Sequence, residues 1–316
     1  MNYIAPQKYH DMMKFYKYQG AGNDFLIADN RDGHITEKDG GLTAALPDGT
    51  VWSRTIEDLC DRRYGVGADG LMLLESGLPA TEDMPATDFQ MVYFNSDGSG
   101  GMMCGNGGRC MVAFAKDCGV EGTDLQDGIK KYVFTAADGL HEAYVLNEDG
   151  PGKTVRLKMK DVEEITKYDS LKGVTSTSKG AFLDTGTRHY VRFVKNIEAY
   201  DIIANGRDIR YNAVELLPVG ANVNYIEPCN GFLKVRTYEK GVEDETFACG
   251  TGIVASVLTA YSEGIEPHNT DSDQRIHYSV RAKKDDLSVD FKQAENAVAV
   301  DIHLTGPAVK VCEIAL

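Results

Sequence analysis

A short pattern, one cysteine followed by glycines, occurs twice in this chain and constrains the fold more than any other feature. The first copy is Cys104–Gly108, with the sequence CGNGG, and the second is Cys249–Gly252, with the sequence CGTG. The helical positions that follow are Cys110, Met111, Phe114, Ala115 and Cys118 in the first half and Ile253, Val254, Val257, Leu258 and Tyr261 in the second. Each pattern ends near a glycine, Gly119 or Gly264. The repeat predicts that each half of the chain places one thiol at the N-terminus of a buried helix.

The N-terminus of a helix changes the chemistry of a cysteine. Backbone N–H groups in the first turn lack intrahelical acceptors and, together with the helix dipole, favour an anion. The same field can lower the pKa of a thiol, whose thiolate is the reactive form. Glycines beside it let a ligand approach the backbone closely. The pseudo-repeat therefore predicts one site built from both Cys104 and Cys249.

Length and charge narrow the class of protein. A chain of 316 residues favours two domains. We place their boundary near Asp138, where a second series of strand-like segments begins, which gives domains at residues 1–138 and 139–304. The net charge of −15 argues against nucleic acid or an anionic membrane surface as a partner, because both require basic patches.

Cysteine usage and the N-terminal sequence predict a cytoplasmic location. The sequence shows neither an apolar run long enough to cross a membrane nor the apolar segment of a signal peptide. The seven cysteines form no CxxC pair, and an odd number without framework spacing predicts reduced thiols. Zinc ligation lacks the usual CxxC or CxxH spacing. Cys60, Cys110, Cys118 and Cys312 are interpreted as small buried apolar residues.

Local patterns predict several further elements. Residues 15–27 are predicted to form strand, turn and strand, with Asn23 and Asp24 on the turn. Residues 30–50 are predicted to be a surface excursion, followed by a helix from Ser53, a good N-cap residue, to Arg63. Helix is also predicted for part of residues 198–216, and strands are predicted at residues 276–280, 287–291 and 297–304.

Two thiols that face one anionic ligand can invert a carbon centre. One thiolate would remove a proton from a carbon next to a carboxylate, and the other thiol would return a proton from the opposite face. The helix N-termini would stabilise the negative charge that develops. The sequence shows neither a lysine context for pyridoxal phosphate nor a cluster of metal ligands, so we predict no cofactor. From its local sequence alone, His189 after a turn is interpreted as a structural hydrogen-bonding residue.

Seven motifs, in order and across nearly the whole chain, resemble those of the diaminopimelate epimerases. They are Gly20–Phe25, Gly65–Asp69, Phe94–Ser99, Met103–Cys110, Gly220–Tyr225, Tyr238–Gly241 and Glu245–Gly252. The resemblance implies cofactor-independent interconversion of LL- and meso-2,6-diaminopimelate, on the route to lysine and peptidoglycan precursors. It also implies an α+β fold of two pseudo-symmetric α/β domains, each a mixed sheet wrapped around a central helix, with the active site in the cleft between them. A C-terminal strand at residues 305–316 would return to the first domain, and the enzyme would be a homodimer.

The resemblance also implies roles for individual residues, by motif position. Cys104 and Cys249 are implied to be the acid/base pair, and His189 and Glu239 to tune the two thiols. Substrate contacts are implied for Asn23, Asn95, Asn222, Gly105, Asn106, Gly250 and Thr251.

Two departures from the family pattern affect the far end of the substrate. The usual Glu-Arg-Gly is Glu239-Lys240-Gly241 here, so an amine replaces a guanidinium that could grip a carboxylate. The usual Gly-Asn-Pro-His or Gly-Ser-Pro-His is Gly186-Thr187-Arg188-His189. We therefore add Thr187, Arg188 and Lys240 to the candidate substrate-binding residues, with Arg188 as the candidate to replace the missing guanidinium.

Other functions stay open on the sequence alone. The main alternative is a cofactor-independent racemase of a different amino acid, of the histidine or proline type. A lyase would need only one thiol, and a protein that merely binds a carboxylate would need neither. The presence of both Cys104 and Cys249 disfavours these last two functions.

Overall fold

The chain is described here by a computed structural model, which covers residues 12–101, 103–175 and 179–316. Its contacts divide it into two compact units. Unit 1 comprises Met1–Arg156 together with Pro307–Leu316, and unit 2 comprises Leu157–Gly306. This division falls later than the boundary predicted near Asp138, because the strands on either side of that residue pair with each other as a hairpin, Ala136 opposite Gly139.

Among the described residues, unit 1 contains the strands β1 to β10, most of β11 and two α-helices. In chain order they are β1 Lys14–Gly20, β2 Asn23–Asp29, β3 Ile35–Lys38, β4 Gly41–Ala45, β5 Val51–Thr55, α1 Ile56–Cys60, β6 Gly70–Ser76, β7 Phe89–Asn95, α2 Gly105–Asp117, β8 Thr123–Asp124, β9 Lys130–Ala136, β10 Gly139–Asp149 and β11 Gly152–Lys158. The last of these strands continues two residues into unit 2.

Unit 2 contains the remaining strands and two helices. They are β12 Thr166–Tyr168, β13 Gly180–Asp184, β14 Arg188–Phe193, α3 Ile202–Asn212, β15 Asn222–Cys229, β16 Phe232–Glu239, β17 Asp244–Thr246, α4 Gly250–Ser262, β18 Asn269–Thr270, β19 Ile276–Arg281, β20 Asp286–Ala294 and β21 Ala297–Ala315. The long strand β21 pairs with β20 through its first part and with β1 through its last part, which belongs to unit 1.

The two units have the same sheet topology. In unit 1 the strand order is β1, β2, β6, β7, β9, β10, and successive pairs are antiparallel, parallel, antiparallel, parallel and antiparallel. In unit 2 the order β13, β14, β15, β16, β19, β20 repeats that alternation. A parallel pair needs a crossover connection, usually a helix. The four helices occupy the four crossovers, so α2 and α4 hold equivalent positions.

Each sheet is packed between a long buried helix and a second layer. In unit 1, α2 is buried from Gly105 to Ala115 and contacts β1, β2, β6, β7 and β10. The opposite face packs on α1 and the small sheet of β3, β4 and β5 around Trp52. In unit 2, α4 contacts β13, β14, β15, β16 and β20, and α3 contacts β15, β16 and β17. A helix that is apolar on every side, such as α4, is stable only when it is surrounded in this way.

The C-terminal end of α2 is fixed to its sheet by polar contacts. The Asp117 carboxylate accepts hydrogen bonds from the Tyr18 hydroxyl at 2.5 Å and from the Lys153 ammonium at 2.6 Å. Burial and the neighbouring carboxylate raise the pKa of Tyr18, which keeps the phenol protonated as a donor. These contacts set the axial position of α2 and hence that of the cysteine at its other end.

Three local predictions from the sequence are wrong. Residues 35–55 form the strands β3, β4 and β5, not an irregular excursion, because they pair with one another and cover one face of the main sheet. The helix predicted to begin at Ser53 begins at Ile56, and its N-cap is Thr55, whose hydroxyl accepts from the Asp58 N–H at 3.0 Å. Cys312 is exposed on β21. The predicted strands at residues 15–27 and in the tail are confirmed as β1, β2, β19, β20 and β21.

Among the helices of the described residues, none combines the length and apolar character that crossing a bilayer requires.

The packing of α2 on β1 gives a stability prediction. Phe114 is fully buried between the rings of Tyr16 at 5.1 Å and Tyr18 at 5.7 Å, measured between ring centroids. We expect Phe114→Ala to lower the free energy of unfolding by about 3–5 kcal/mol, the usual cost of such a cavity. In urea denaturation followed by circular dichroism, the control Tyr64→Ala, at a residue that is 95% exposed, should change it by less than about 0.5 kcal/mol. Equal losses in the two variants would contradict this assignment of the core.

Candidate active site

Cys104 and Cys249 are the N-cap residues of α2 and α4, with nearly equal backbone angles. Cys104 has φ −106° and ψ 128°, and Cys249 has φ −104° and ψ 112°. The carbonyl of each accepts the first helical hydrogen bond, from Gly108 at 2.7 Å and from Ile253 at 2.9 Å. Neither thiol caps its own helix. Each unit therefore presents a sulfur atom next to the first-turn N–H groups of a buried helix, as the sequence predicts.

In unit 1 the polar residues around Cys104 form a chain of amides at the end of the sheet. The Asn106 amide donates to Asn23 Oδ1 at 2.6 Å, and the Asn23 amide donates to Asp69 Oδ2 at 2.9 Å. The guanidinium of Arg109, which is fully buried, donates to Asn106 Oδ1 at 2.8 Å. Because these contacts join α2, β2 and the turn before β6, they fix the first turn of α2 against the sheet.

A cluster of charged residues contacts Asp69, the last acceptor in this series of hydrogen bonds. Arg62 donates to Asp24 and to Asp69, with the shortest contact to each at 2.6 Å, and Lys17 pairs with Asp24 at 2.8 Å. Burial raises the pKa of Asp24, but hydrogen bonds from Arg62 and Lys17 outweigh this effect and hold the pKa below its ordinary value. Asp24 therefore stays ionised and holds Arg62, which also contacts Asp69, the acceptor for the Asn23 amide.

Asn95 lies at the same end of the sheet in unit 1. It is the last residue of β7, and its Cα is paired with that of Gly70, the residue after Asp69. Its amide donates to Ser99 Oγ at 3.0 Å within an exposed turn. The structure thus brings Asn23 and Asn106 into contact and places Asn95 at the same end of the sheet.

In unit 2 the polar residues share the sheet face that carries α4. Asn222 and Asn224 lie two residues apart on β15. His189 on β14 is paired with Asn222, and Thr237 on β16 is paired with Asn224. Successive side chains on a strand point to opposite faces, so these four point to the same one. The packing of α4 on this face is close at Gly252, where a β-carbon would come 2.3 Å from Asn224 Oδ1.

His189 is fully buried and hydrogen-bonded through both ring nitrogens. Nε2 lies 2.9 Å from Thr187 Oγ1 and 2.9 Å from Thr251 Oγ1, and Nδ1 lies 2.9 Å from the Asn224 amide nitrogen. Thr251 Oγ1 in turn lies 3.4 Å from Cys249 Sγ. Burial lowers the pKa of His189 to about 3, so the imidazole is neutral at physiological pH. The structure thus brings His189, Thr187, Thr251 and Cys249 into one network.

Asn222 and Glu239 hold the loops beside this network. Asn222 donates to the Arg188 carbonyl at 3.1 Å and accepts from the Lys240 N–H at 2.8 Å. Glu239 accepts from the Thr246 hydroxyl at 2.8 Å, which ties the end of β16 to β17. The side chain of Lys240 is exposed.

Arg188 does not share the face of its neighbour His189. Its guanidinium carbon lies 5.0 Å from the ring centroid of Phe182, on β13, and strand alternation directs it away from the imidazole. This placement disfavours the prediction that Arg188 replaces the missing guanidinium, because the group lies on the opposite sheet face from α4.

The structure adds residues that the sequence reasoning did not assign to the site: Asp69, Arg62, Arg109, Asn224, Thr237 and Thr246. Asp69 and Arg109 lie inside two of the motifs, which was the available signal. Asn224 and Thr246 likewise lie inside two further motifs, whereas Thr237 lies outside them and is brought next to Asn224 only by strand pairing. The described ranges contain no group of three or more His, Cys, Asp or Glu side chains arranged to hold a metal ion.

Sequence comparisons agree with this geometry. Residues 15–129 match the family model described as diaminopimelate epimerase. A relative of that name from Flavobacterium psychrophilum is 39% identical over 306 residues, which are 96% of this chain and all of the relative. The chain belongs to the diaminopimelate epimerase family. A relative from Chlorobaculum tepidum is 38% identical over 92% of this chain and 95% of its own length, and one from Aquifex aeolicus is 35% identical over 95% and 96%.

Solved structures confirm the predicted fold class for this diaminopimelate epimerase family member. A probable proline racemase from Agrobacterium radiobacter matches with a TM-score of 0.65 at 16% identity, over 96% of this chain and 92% of that one. A phenazine biosynthesis protein from Bacillus anthracis has the same TM-score at 14% identity, over 96% and 99%. At these identities the likeness concerns the fold alone.

The buried imidazole of this family member should make unit 2 sensitive to acid. Because the pKa of His189 is about 3 when folded and about 6.5 when unfolded, the unfolded chain binds more protons between these values. Lowering the pH through that window should therefore reduce the free energy of unfolding by up to about 1.4 kcal/mol per pH unit from this group, with no contribution above it. His189→Gln should show a shallower pH dependence in urea denaturation. Parallel curves for the two proteins would contradict a buried neutral histidine.

Proposed function

We propose that this chain is an isomerase that interconverts LL- and meso-2,6-diaminopimelate without a cofactor, for lysine and peptidoglycan precursor biosynthesis. The observation that carries the proposal is the matched position of Cys104 and Cys249 as N-caps of two equivalent buried helices. The relatives named diaminopimelate epimerase, which match over nearly the whole chain, support the substrate class.

In the proposed reaction the two thiols work on opposite faces of one α-carbon. One cysteine, as thiolate, takes the α-proton, and the electron pair left on carbon delocalises into the adjacent carboxylate. The other cysteine, as thiol, gives a proton to the opposite face, so the stereocentre inverts and the two sulfurs exchange their protonation states. First-turn N–H groups, including those of Gly105 and Gly250, stabilise the charge that develops on the carboxylate.

The remaining roles are assigned from the residues around Cys104 and around Cys249. His189, through Thr251, and Glu239 are proposed to tune the thiols. The proposed substrate contacts are Asn23, Asn95, Gly105, Asn106, Asn222, Gly250, Thr251, Thr187 and Lys240. Lys240 is the proposed donor to the distant carboxylate, since its exposed ammonium follows Glu239 directly, whereas the guanidinium of Arg188 lies on Phe182.

We further propose that the enzyme acts in the cytoplasm as a homodimer whose ligand is a small amino acid, with neither nucleic acid nor membrane as a partner. The net charge of −15 supports the exclusion of nucleic acid. The cysteine spacing supports a reducing compartment.

A racemase of another amino acid is the second candidate. It is favoured by one observation, that residue 240 is a lysine and the Arg188 guanidinium lies on Phe182, away from the face that carries α4. Proton–deuterium exchange at the α-carbon over a panel of amino acids decides between the two candidates. Exchange of diaminopimelate supports the first, and exchange of a monocarboxylate amino acid without it supports the second.

The thiols provide the first functional prediction. We expect Cys104→Ser and Cys249→Ser each to lower kcat for inversion by more than about a hundredfold, because each face needs its own proton carrier. Far-ultraviolet circular dichroism should stay unchanged. The matched control is Cys312→Ser, at an exposed cysteine on β21, which should keep full activity. A single variant that inverts diaminopimelate normally would refute the two-thiol assignment.

The second carboxylate of diaminopimelate provides the second functional prediction. We expect Lys240→Ala to lower kcat/KM for diaminopimelate about ten- to a hundredfold, the value of one charge-assisted hydrogen bond. Arg188→Ala should change it by less than about threefold, because the guanidinium rests on Phe182. The reverse order of effects would return Arg188 to the substrate site and remove Lys240 from it.

A further inference from the structure

We propose that Asn224 is a positioning residue that keeps the proton of His189 on Nε2 and so directs a hydrogen bond through Thr251 to the sulfur of Cys249. The inference deepens the proposed two-thiol function and rests on it.

The first step is the orientation of the Asn224 amide. Its Nδ2 lies 2.9 Å from His189 Nδ1, and its Oδ1 accepts from the Thr237 hydroxyl at 2.8 Å. Both Asn224 and Thr237 are buried, so neither group is turned by solvent. Oδ1 also lies against Gly252 in the first turn of α4, where the positive end of the helix favours an oxygen over an NH2 group.

The second step is the tautomer of His189. An amide NH2 that donates to Nδ1 requires a lone pair there, so the single proton of the neutral imidazole is on Nε2. Nε2 lies 2.9 Å from each of the Thr187 and Thr251 hydroxyls. The imidazole is therefore a donor to this hydroxyl pair. Burial, which holds the pKa of His189 at about 3, keeps the ring in this neutral form.

The third step passes from Thr251 to the thiol. Thr251 Oγ1 can accept from His189 Nε2 at 2.9 Å and from Thr187 Oγ1 at 3.1 Å, which uses both lone pairs of the hydroxyl. Its own O–H then points at Cys249 Sγ, 3.4 Å away. A donor aimed at sulfur stabilises the thiolate over the thiol. The opposite tautomer would make Nε2 an acceptor and draw the Thr251 proton away from sulfur.

The arrangement belongs to one thiol of the pair. Thr251 lies two residues after Cys249, and the corresponding residue after Cys104 is Asn106. The amide of Asn106 contacts Asn23 and Arg109. Asn224 should therefore influence proton transfer by Cys249 and not by Cys104. A role confined to stability would affect both thiols alike.

Nitrogen NMR of the histidine side chains gives the direct test. In the wild type we expect His189 to show a protonated Nε2 and an unprotonated Nδ1. In Asn224→Asp, an isosteric carboxylate that can only accept, the proton should move to Nδ1. An Nδ1 proton in the wild type, or an unchanged pattern in the Asp variant, would overturn the proposal.

Single-thiol backgrounds give the functional test. A protein with Cys104→Ala retains only Cys249, which can still remove the α-proton of one diaminopimelate isomer and return deuterium from heavy water to the same face. We expect Asn224→Asp to slow this exchange about ten- to a hundredfold. In the matched background Cys249→Ala, the same substitution should change exchange through Cys104 by less than about twofold. Equal losses in the two backgrounds would overturn the proposal.

A third readout does not depend on turnover. The rate of alkylation of Cys249, followed by mass spectrometry of its peptide, should titrate at a higher pH in Asn224→Asp and in Asn224→Leu than in the wild type. An unchanged titration in both variants would overturn the proposal. If neither single-thiol parent exchanges diaminopimelate, the proposed function fails, while the NMR and alkylation results still decide the role of Asn224.

Discussion

The first turn of α4 lies so close to the sheet of unit 2 that a β-carbon at Gly252 would come 2.3 Å from Asn224 Oδ1. In unit 1 the close approach is at a strand residue instead, since a β-carbon at Gly20 on β1 would come 3.0 Å from the Asn106 carbonyl and 3.1 Å from Cys110 Sγ. The contact at Gly252 is too short for any side chain, and the contact at Gly20 leaves little room for one, so each helix begins close to its sheet. The position of each cysteine depends on this close approach of helix and sheet.

The surroundings of Cys104 and Cys249 have the same backbone arrangement but differ in their charged and polar groups. Around Cys104, the amides of Asn23 and Asn106 are joined to Asp69, which contacts Arg62, and Arg62 in turn contacts Asp24. Around Cys249, a neutral imidazole and two hydroxyls provide the hydrogen bonds. Surroundings that differ in this way give the two sulfurs different affinities for a proton. Duplication of the fold with divergence of the side chains provides these surroundings.

The fold alone does not select the substrate. Solved proteins of this topology include one described as a probable proline racemase and one described as a phenazine biosynthesis protein. A fold of this kind supports several activities, so function has to be argued from the site. Here the relatives and the two thiols favour diaminopimelate, whereas the lysine at position 240 and the stacking of Arg188 on Phe182 keep a racemase of another amino acid as the second candidate.

The sequence by itself determined the repeat, the helices after Cys104 and Cys249, the strands at both ends of the chain and the family, because glycine positions and apolar periodicity are local signals. It did not determine the extent of unit 1, since strands β9 and β10 pair across the predicted boundary near Asp138. Nor did it reveal the strands β3, β4 and β5, whose stability comes from covering a distant apolar face. The surroundings of His189 were decided only by tertiary structure. Asn224 and Thr237 lie on two further strands, and it is strand pairing across the sheet that brings Asn224 to the imidazole and Thr237 to Asn224.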